Sequence, residues 1–295
     1  MHVFHDSRCT EYQRPGHPER PQRILATVPV LKNRHPGWRW ITPAAASREE
    51  LLRAHSEEYL GQIAHARIDF DSDCPAYPNL FDHAARSAGA ALAAARAAIE
   101  GQGSFSLMRP PGHHALRDHP MGFCYFTNIA LAAFDALDRG LERVAIWDFD
   151  AHHGNGTEAM VTGNDKIIFA SIHQYPGWPG TGTKSFRNIH NFPVPPYAPR
   201  KLHVTEVERA LERILEFKPQ LLLVSAGFDA YAGDPITEMT LEREDFEEFG
   251  RWLNDVDVPT AAILEGGYSD ELPELIDAFL AAWDDGSSPA PPGAS

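Results

Sequence analysis

At 295 residues, 43% hydrophobic and 23% charged, the chain has ample material for a core and is expected to form one large or two small globular domains. A formal charge of −15 disfavours nucleic acid as a general partner, and no apolar run approaches the roughly 18 residues that a membrane span takes. Cys9, Cys74 and Cys124 form no close pair, which argues against a disulfide framework or a cysteine-rich zinc module. The opening MHVFHDSRC has neither the basic nor the apolar part of a signal peptide, so a cytoplasmic protein is expected.

In chain order, DHAARSAGAALAAARAAIE from Asp82 to Glu100 predicts an alanine-rich helix ended by Gly101. The following GQGSF reads as a helix cap and not as a phosphate loop. RPPGHHA then places His113 and His114 in a Pro/Gly-rich loop. Four apolar runs, RVAIWDFD, KIIFASIH, QLLLVSAGFD and TAAILEGGY, predict strands. The amphipathic segments TNIALAAFDALDRG, LHVTEVERALERILEFK, LEREDFEEFGRWLNDV and ELPELIDAFLAAW predict helices before, between and after them. Unbroken apolar strands alternating with helices imply an α/β domain in three layers, a mostly parallel sheet covered by helices on both faces. We expect this domain to span residues 1–285, with the Gly/Pro/Ser-rich 286–295 a frayed tail.

In such sheets ligands lie beyond the carboxyl ends of the strands, where the chemically active residues of this chain are concentrated. If the strand at RVAIWDFD stays extended, Asp148, Asp150 and His152 project to one side. Two carboxylates closing an apolar strand are costly unless a cation pairs with them, and Asp229 closes a later strand. Asp150, His152 and Asp229 would give a metal three N/O ligands and leave a position open, the mark of a catalytic zinc site. A metal there lowers the pKa of a water and polarises a carbonyl. Tandem His113 and His114 suggest a general base and an electrostatic partner. Tyr268, after Gly266 and Gly267, could donate a hydrogen bond to an oxyanion.

Taken together, HPERPQRI, DSDCPAY, RPPGHHA, MGFCYFTNIALAA, DFDAHHGNGTE, SIHQYPGWPGTG, SAGFDAYAGDP and LEGGY resemble the histone deacetylase family, in that order and over most of the chain. The resemblance implies the arginase-deacetylase fold and amide hydrolysis with one catalytic Zn2+ on Asp150, His152 and Asp229. It implies His113 and His114 as catalytic histidines and Tyr268 as the transition-state tyrosine. The acyl-lysine slot would be formed by Gly122, Phe123 and, where phenylalanine is more usual, Trp178. Asp73 would hold the substrate backbone. A structural K+ would use Asp148, Asp150, His152, Ser171 and Ile172. Manganese-binding relatives carry carboxylates where this chain has Gly154 and Tyr231, which favours a single catalytic metal. In the family pattern His113 is backed by Asp148 and His114 by Asn155, so His113 is expected to be the cation and His114 the neutral base. The expected substrates are acetylated lysine peptides or small acetylated amines. The runner-up is an acetylpolyamine amidohydrolase, disfavoured by neutral Ile236 where polyamine-selective relatives carry an acid, with Glu238 nearby. A non-catalytic module that binds acetylated ligands is the rival of another class. Nothing in the chain specifies an oligomer.

Overall fold

In the computed structural model, which describes residues 1–285, the apolar runs become strands of one sheet. The chain passes through β1 (His2–Phe4), α1 (Gln22–Arg34), β2 (Arg39–Ile41), α2 (Arg48–Leu51), α3 (Glu57–Ala64), α4 (Leu80–Ile99) and β3 (Ser104–Ser106). It continues through α5 (Asn128–Asp138), β4 (Val144–Asp148), α6 (Asn155–Val161), β5 (Ile167–Gln174) and β6 (Ile189–Val194). The last elements are α7 (Arg200–Leu215), β7 (Leu221–Ala226), α8 (Arg243–Asp255), β8 (Thr260–Leu264) and α9 (Leu272–Trp283). The strands form a single sheet in the order β2-β1-β3-β8-β7-β4-β5-β6, and every pairing is parallel. Every residue of β4, β7 and β8 is buried, as a sheet flanked by helices requires.

The helices dock through small or aromatic side chains. On α4, Gly89 lies against the backbone of Ala44–Ala46, and a Cβ would overlap the Ala44 carbonyl. A reciprocal capping box between Glu242 and Asp245 starts α8, whose Phe246 and Phe249 then pack on Phe149, with ring centroids 6.4 and 5.4 Å away. A smaller core, including Tyr59, Leu60, Ile63 and Phe126, lies beneath α3 and α4.

β3, β8, β7 and β4 are consecutive across the middle of the sheet although far apart in sequence, so the loops that follow them open onto one rim. Three details differ from the sequence reading. Gly101, at φ +83°, ends α4 as expected, but the residues after it form a strand, β3, that pairs with β1 and β8. β4 stops at Asp148 instead of carrying Asp150 and His152 onward, because the Asp150 N–H donates to the Asp148 carboxylate and bends the chain. β7 ends at Ala226, so Asp229 lies in the loop beyond and not at the strand end. The expected frayed tail, 286–295, falls outside the described residues. Among those described, no helix is long and apolar enough to cross a membrane.

Candidate active site

The loop after β4 coils around its own carboxylate and also holds that of the loop after β7. The His152 N–H donates to Asp150 Oδ1 at 2.9 Å and the Ala151 N–H to Asp229 Oδ1 at 2.8 Å. Gly266, after β8, donates its N–H to Asp150 Oδ2 at 2.8 Å. These bonds gather one ligand atom each from Asp150, His152 and Asp229 within 4.8 Å of one another. Glycine is needed at two points around them, since a Cβ on Gly227 or Gly266 would overlap the Asp150 carboxylate.

The electrostatics of this cluster call for a cation. Burial and the nearby Asp150 charge hold Asp229 above the ordinary carboxylate range. Burial opposes a charged His152, yet Asp229 and Asp150 push its pKa up to about 10, with Nδ1 only 2.9 Å from Asp229 Oδ2. Positive charge is thus favoured beside two buried carboxylates, and the N/O donor set fits a divalent ion with a coordination position left open.

Beside this cluster the two loop histidines lie with ring centroids 3.9 Å apart. His113 donates Nδ1–H to Asp148 Oδ2 at 3.0 Å, and its Nε2 is 3.7 Å from Asp150. Burial works against its charge, but Asp150, Asp148 and Glu265 override it and raise its pKa well above the ordinary histidine value. His114 donates Nδ1–H to Asn155 Oδ1 at 2.8 Å. Burial and then the charges of His113 and His152 drive its pKa well below the ordinary value, so it is neutral with Nε2 as an acceptor. Asp148 itself is held above the usual range by burial, opposed by His113.

A cavity of about 510 Å³ opens over these groups, and His114 and His152 line its inner end. Its walls include Gly122, Phe123, Trp178 and Tyr268, with Asp73 and Ile236 also on its lining. Trp178 meets the His114 ring edge-on at 4.7 Å, and Phe123 meets Tyr268 edge-on at 5.6 Å. A Cβ on Gly122, which adopts φ +53°, would overlap both Trp178 and His114. Burial raises the pKa of the Tyr268 phenol well above its ordinary value, so it remains a donor.

The family profile described as the histone deacetylase domain matches residues 17–283. The chain belongs to the histone deacetylase family. Over 293 residues it is 36% identical to a probable deacetylase of Archaeoglobus fulgidus, covering 91% of this chain and 81% of that one. It is 35% identical over 223 residues to acetylpolyamine amidohydrolase 1 of Pseudomonas aeruginosa, covering 72% of this chain and 64% of that protein. Among solved structures it resembles the HD domain of HDA15 with a TM-score of 0.87 and 29% identity, over 96% of this chain and 90% of that one.

For this family member the fold brings every expected ligand, histidine and slot residue to one rim. Ser171 pairs in register with Asp148 across β4 and β5, its hydroxyl 3.0 Å from His173 Nδ1, and Ile172 follows it, fully buried. Glu238 is turned away from the cavity lining: its N–H donates to Gln174 Oε1 at 2.8 Å and its carboxylate accepts from Gln174 Nε2. Residue-level reasoning missed Arg23, Glu265 and Asp234. Arg23 donates to the carbonyls of Glu265 and Gly267 and lies 4.9 Å from the Tyr268 ring centroid. Asp234 accepts the N–H groups of Tyr268 at 2.7 Å and Ile236 at 3.1 Å, and burial raises its pKa to about 7. Glu265 was open to the argument that singled out Asp148, being an acid that closes an apolar strand.

Proposed function

We propose that residues 1–285 form the catalytic domain of a zinc-dependent deacetylase that releases acetate from N-acetyl-lysine side chains or related acetylated amines. The observation that carries this reading is the Asp150–His152–Asp229 donor cluster at the inner end of a cavity walled by Phe123, Trp178 and Tyr268. Zinc held by those three residues supplies Lewis acidity, polarising the acetyl carbonyl and lowering the pKa of water. Neutral His114, oriented by Asn155, takes a proton at Nε2 from the attacking water and returns it to the leaving amine nitrogen. Charged His113 offsets the negative charge that develops beside it, and Tyr268 donates its O–H to the carbonyl oxygen as charge builds there. Phe123 and Trp178 enclose the acyl-lysine stem with Gly122 leaving room between them. Asp73 accepts from the substrate backbone, and Ile236 gives the slot an apolar rim. A structural K+ would be held by Asp148, Asp150, His152, Ser171 and Ile172, partly through main-chain oxygens.

Acetylated polyamines form the second substrate class, supported by the likeness to the Pseudomonas amidohydrolase and weakened by the uncharged Ile236. The experiment is acetate release from an acetyl-lysine peptide, acetylspermidine and acetylcadaverine, with metal analysis of the same preparation. The expected outcome is turnover that scales with zinc content and is fastest on the peptide. Faster turnover of the polyamines would transfer the assignment to them, and ligand binding without acetate release would favour a non-catalytic module.

A further inference from the structure

Glu265 follows β8 and is fully buried. Its Oε2 accepts the main-chain N–H groups of Gly112 at 2.7 Å and His113 at 3.1 Å, and the Ser225 hydroxyl donates to Oε1 at 3.4 Å. Its own carbonyl accepts from Arg23, whose Nε donates to the Gly267 carbonyl at 2.7 Å beside Tyr268. The side chain of one residue therefore grips the histidine loop while its main chain is fixed to the tyrosine loop. β3 and β8 are neighbours in the sheet, but their ladder ends at Ser106 and Ile263, before either loop begins. Glu265 spans the gap that the ladder leaves open.

We propose that Glu265 is a positioning residue that sets the spacing between the tandem histidines and Tyr268, and so the reach of His114 to the reacting carbonyl. This rests on the deacetylase reading above. Shortening the acid by one methylene withdraws the acceptor from two buried N–H groups, and a displacement of about 1 Å in a catalytic group costs on the order of 10²-fold in rate. Glutamine keeps an oxygen at the acceptor position.

The zinc-loaded protein and its Glu265→Asp, Glu265→Met and Glu265→Gln variants are compared by steady-state kinetics on an acetyl-lysine peptide, with metal analysis and thermal melts. The Asp and Met variants are expected to lose about 10²-fold in kcat, with KM within about threefold of wild type and zinc content unchanged, whereas the Gln variant loses less than about tenfold. In a His114→Ala background, where the base is already gone, the Asp substitution should cost less than about threefold more. The proposal is overturned by Asp and Met variants that turn over like wild type, or by a loss that appears in KM or zinc content. It is also overturned by an equal loss in the His114→Ala background, or by failure of both variants to fold, which would make the acid an element of stability alone. A wild type inactive on every acetylated amine would instead refute the deacetylase reading and take this proposal with it.

Discussion

His113 and His114 are adjacent in sequence, with rings nearly in contact, yet they are in opposite states. Two imidazolium rings at that distance repel, so the one backed by a carboxylate keeps the proton and the one backed by an amide loses it. That division is expected from the partner types that the family resemblance implies, whereas the carboxylates that close apolar strands and the paired histidines in a glycine-rich loop are conspicuous in the linear chain itself. Arg23 is not, because its partners are main-chain groups of another loop and leave no spacing pattern, and Glu265, though an acid that closes an apolar strand, binds main-chain N–H groups of another loop that no spacing reveals. Tyr268 lines the cavity without contributing to the donor cluster. Tyr268→Phe is therefore expected to lower kcat by about 10²- to 10³-fold, while metal analysis returns the wild-type content. Wild-type turnover in that variant would remove the phenol from the mechanism.

Three loops that follow neighbouring strands, β4, β7 and β8, and not any single loop, make the cluster, and glycines at two of them allow the carboxylates to converge. Gly266→Ala forces a methyl group onto the Asp150 and Asp229 carboxylates, so metal affinity should fall at least about tenfold in a chelator-competition titration. Gly61→Ala in α3, where nothing lies within 4 Å of the added carbon, serves as the control and should titrate like wild type. The long elements were legible because unbroken apolar runs and 3.6-residue periodicity persist over them. β1, β2 and β3 have three residues each, too few for any period to register, and β6 is interrupted by Pro193. The turn at Asp148 escaped notice for another reason: extension and a side-chain-to-backbone bend are equally compatible with an Asp-x-Asp pattern, and only the tertiary partners select the bend.

Across the whole molecule, buried imidazoles and buried acids titrate in opposite senses as pH falls. Burial lowers His55 to about 4, His203 to about 4 and His173 to about 3, against 6.5 for an exposed histidine. As pH falls below 6.5 the unfolded chain binds protons at these rings that the folded chain refuses, so each ring contributes a decline in stability between about pH 6.5 and 4, about 1.4 kcal/mol per pH unit, while the buried acids Asp234 and Glu265, raised to about 7, contribute the opposite slope. The raised His113 adds no slope in that window, since its contribution is fully present below 6.5 and is lost only as pH rises through its folded value. His203 is 1% exposed on α7, and neither ring nitrogen has a partner among the described residues. His203→Leu should therefore raise stability by about 1 kcal/mol at pH 7 and by more at pH 5, read from urea melts at both values. Equal shifts at the two values would mean that the ring titrates normally.

The strand order also bears on how the site is completed. β1 to β3 and β4 to β6 are two blocks that share no ladder, and only β7 and β8, which follow both in the chain, are inserted between them and join them. A chain ended before Leu221 holds two half-sheets and lacks both Asp229 and the Gly266 N–H that meets Asp150. If the proposed metal site is right, Asp229 is one of its three ligands, so a chain cut before Leu221 should be unable to retain metal.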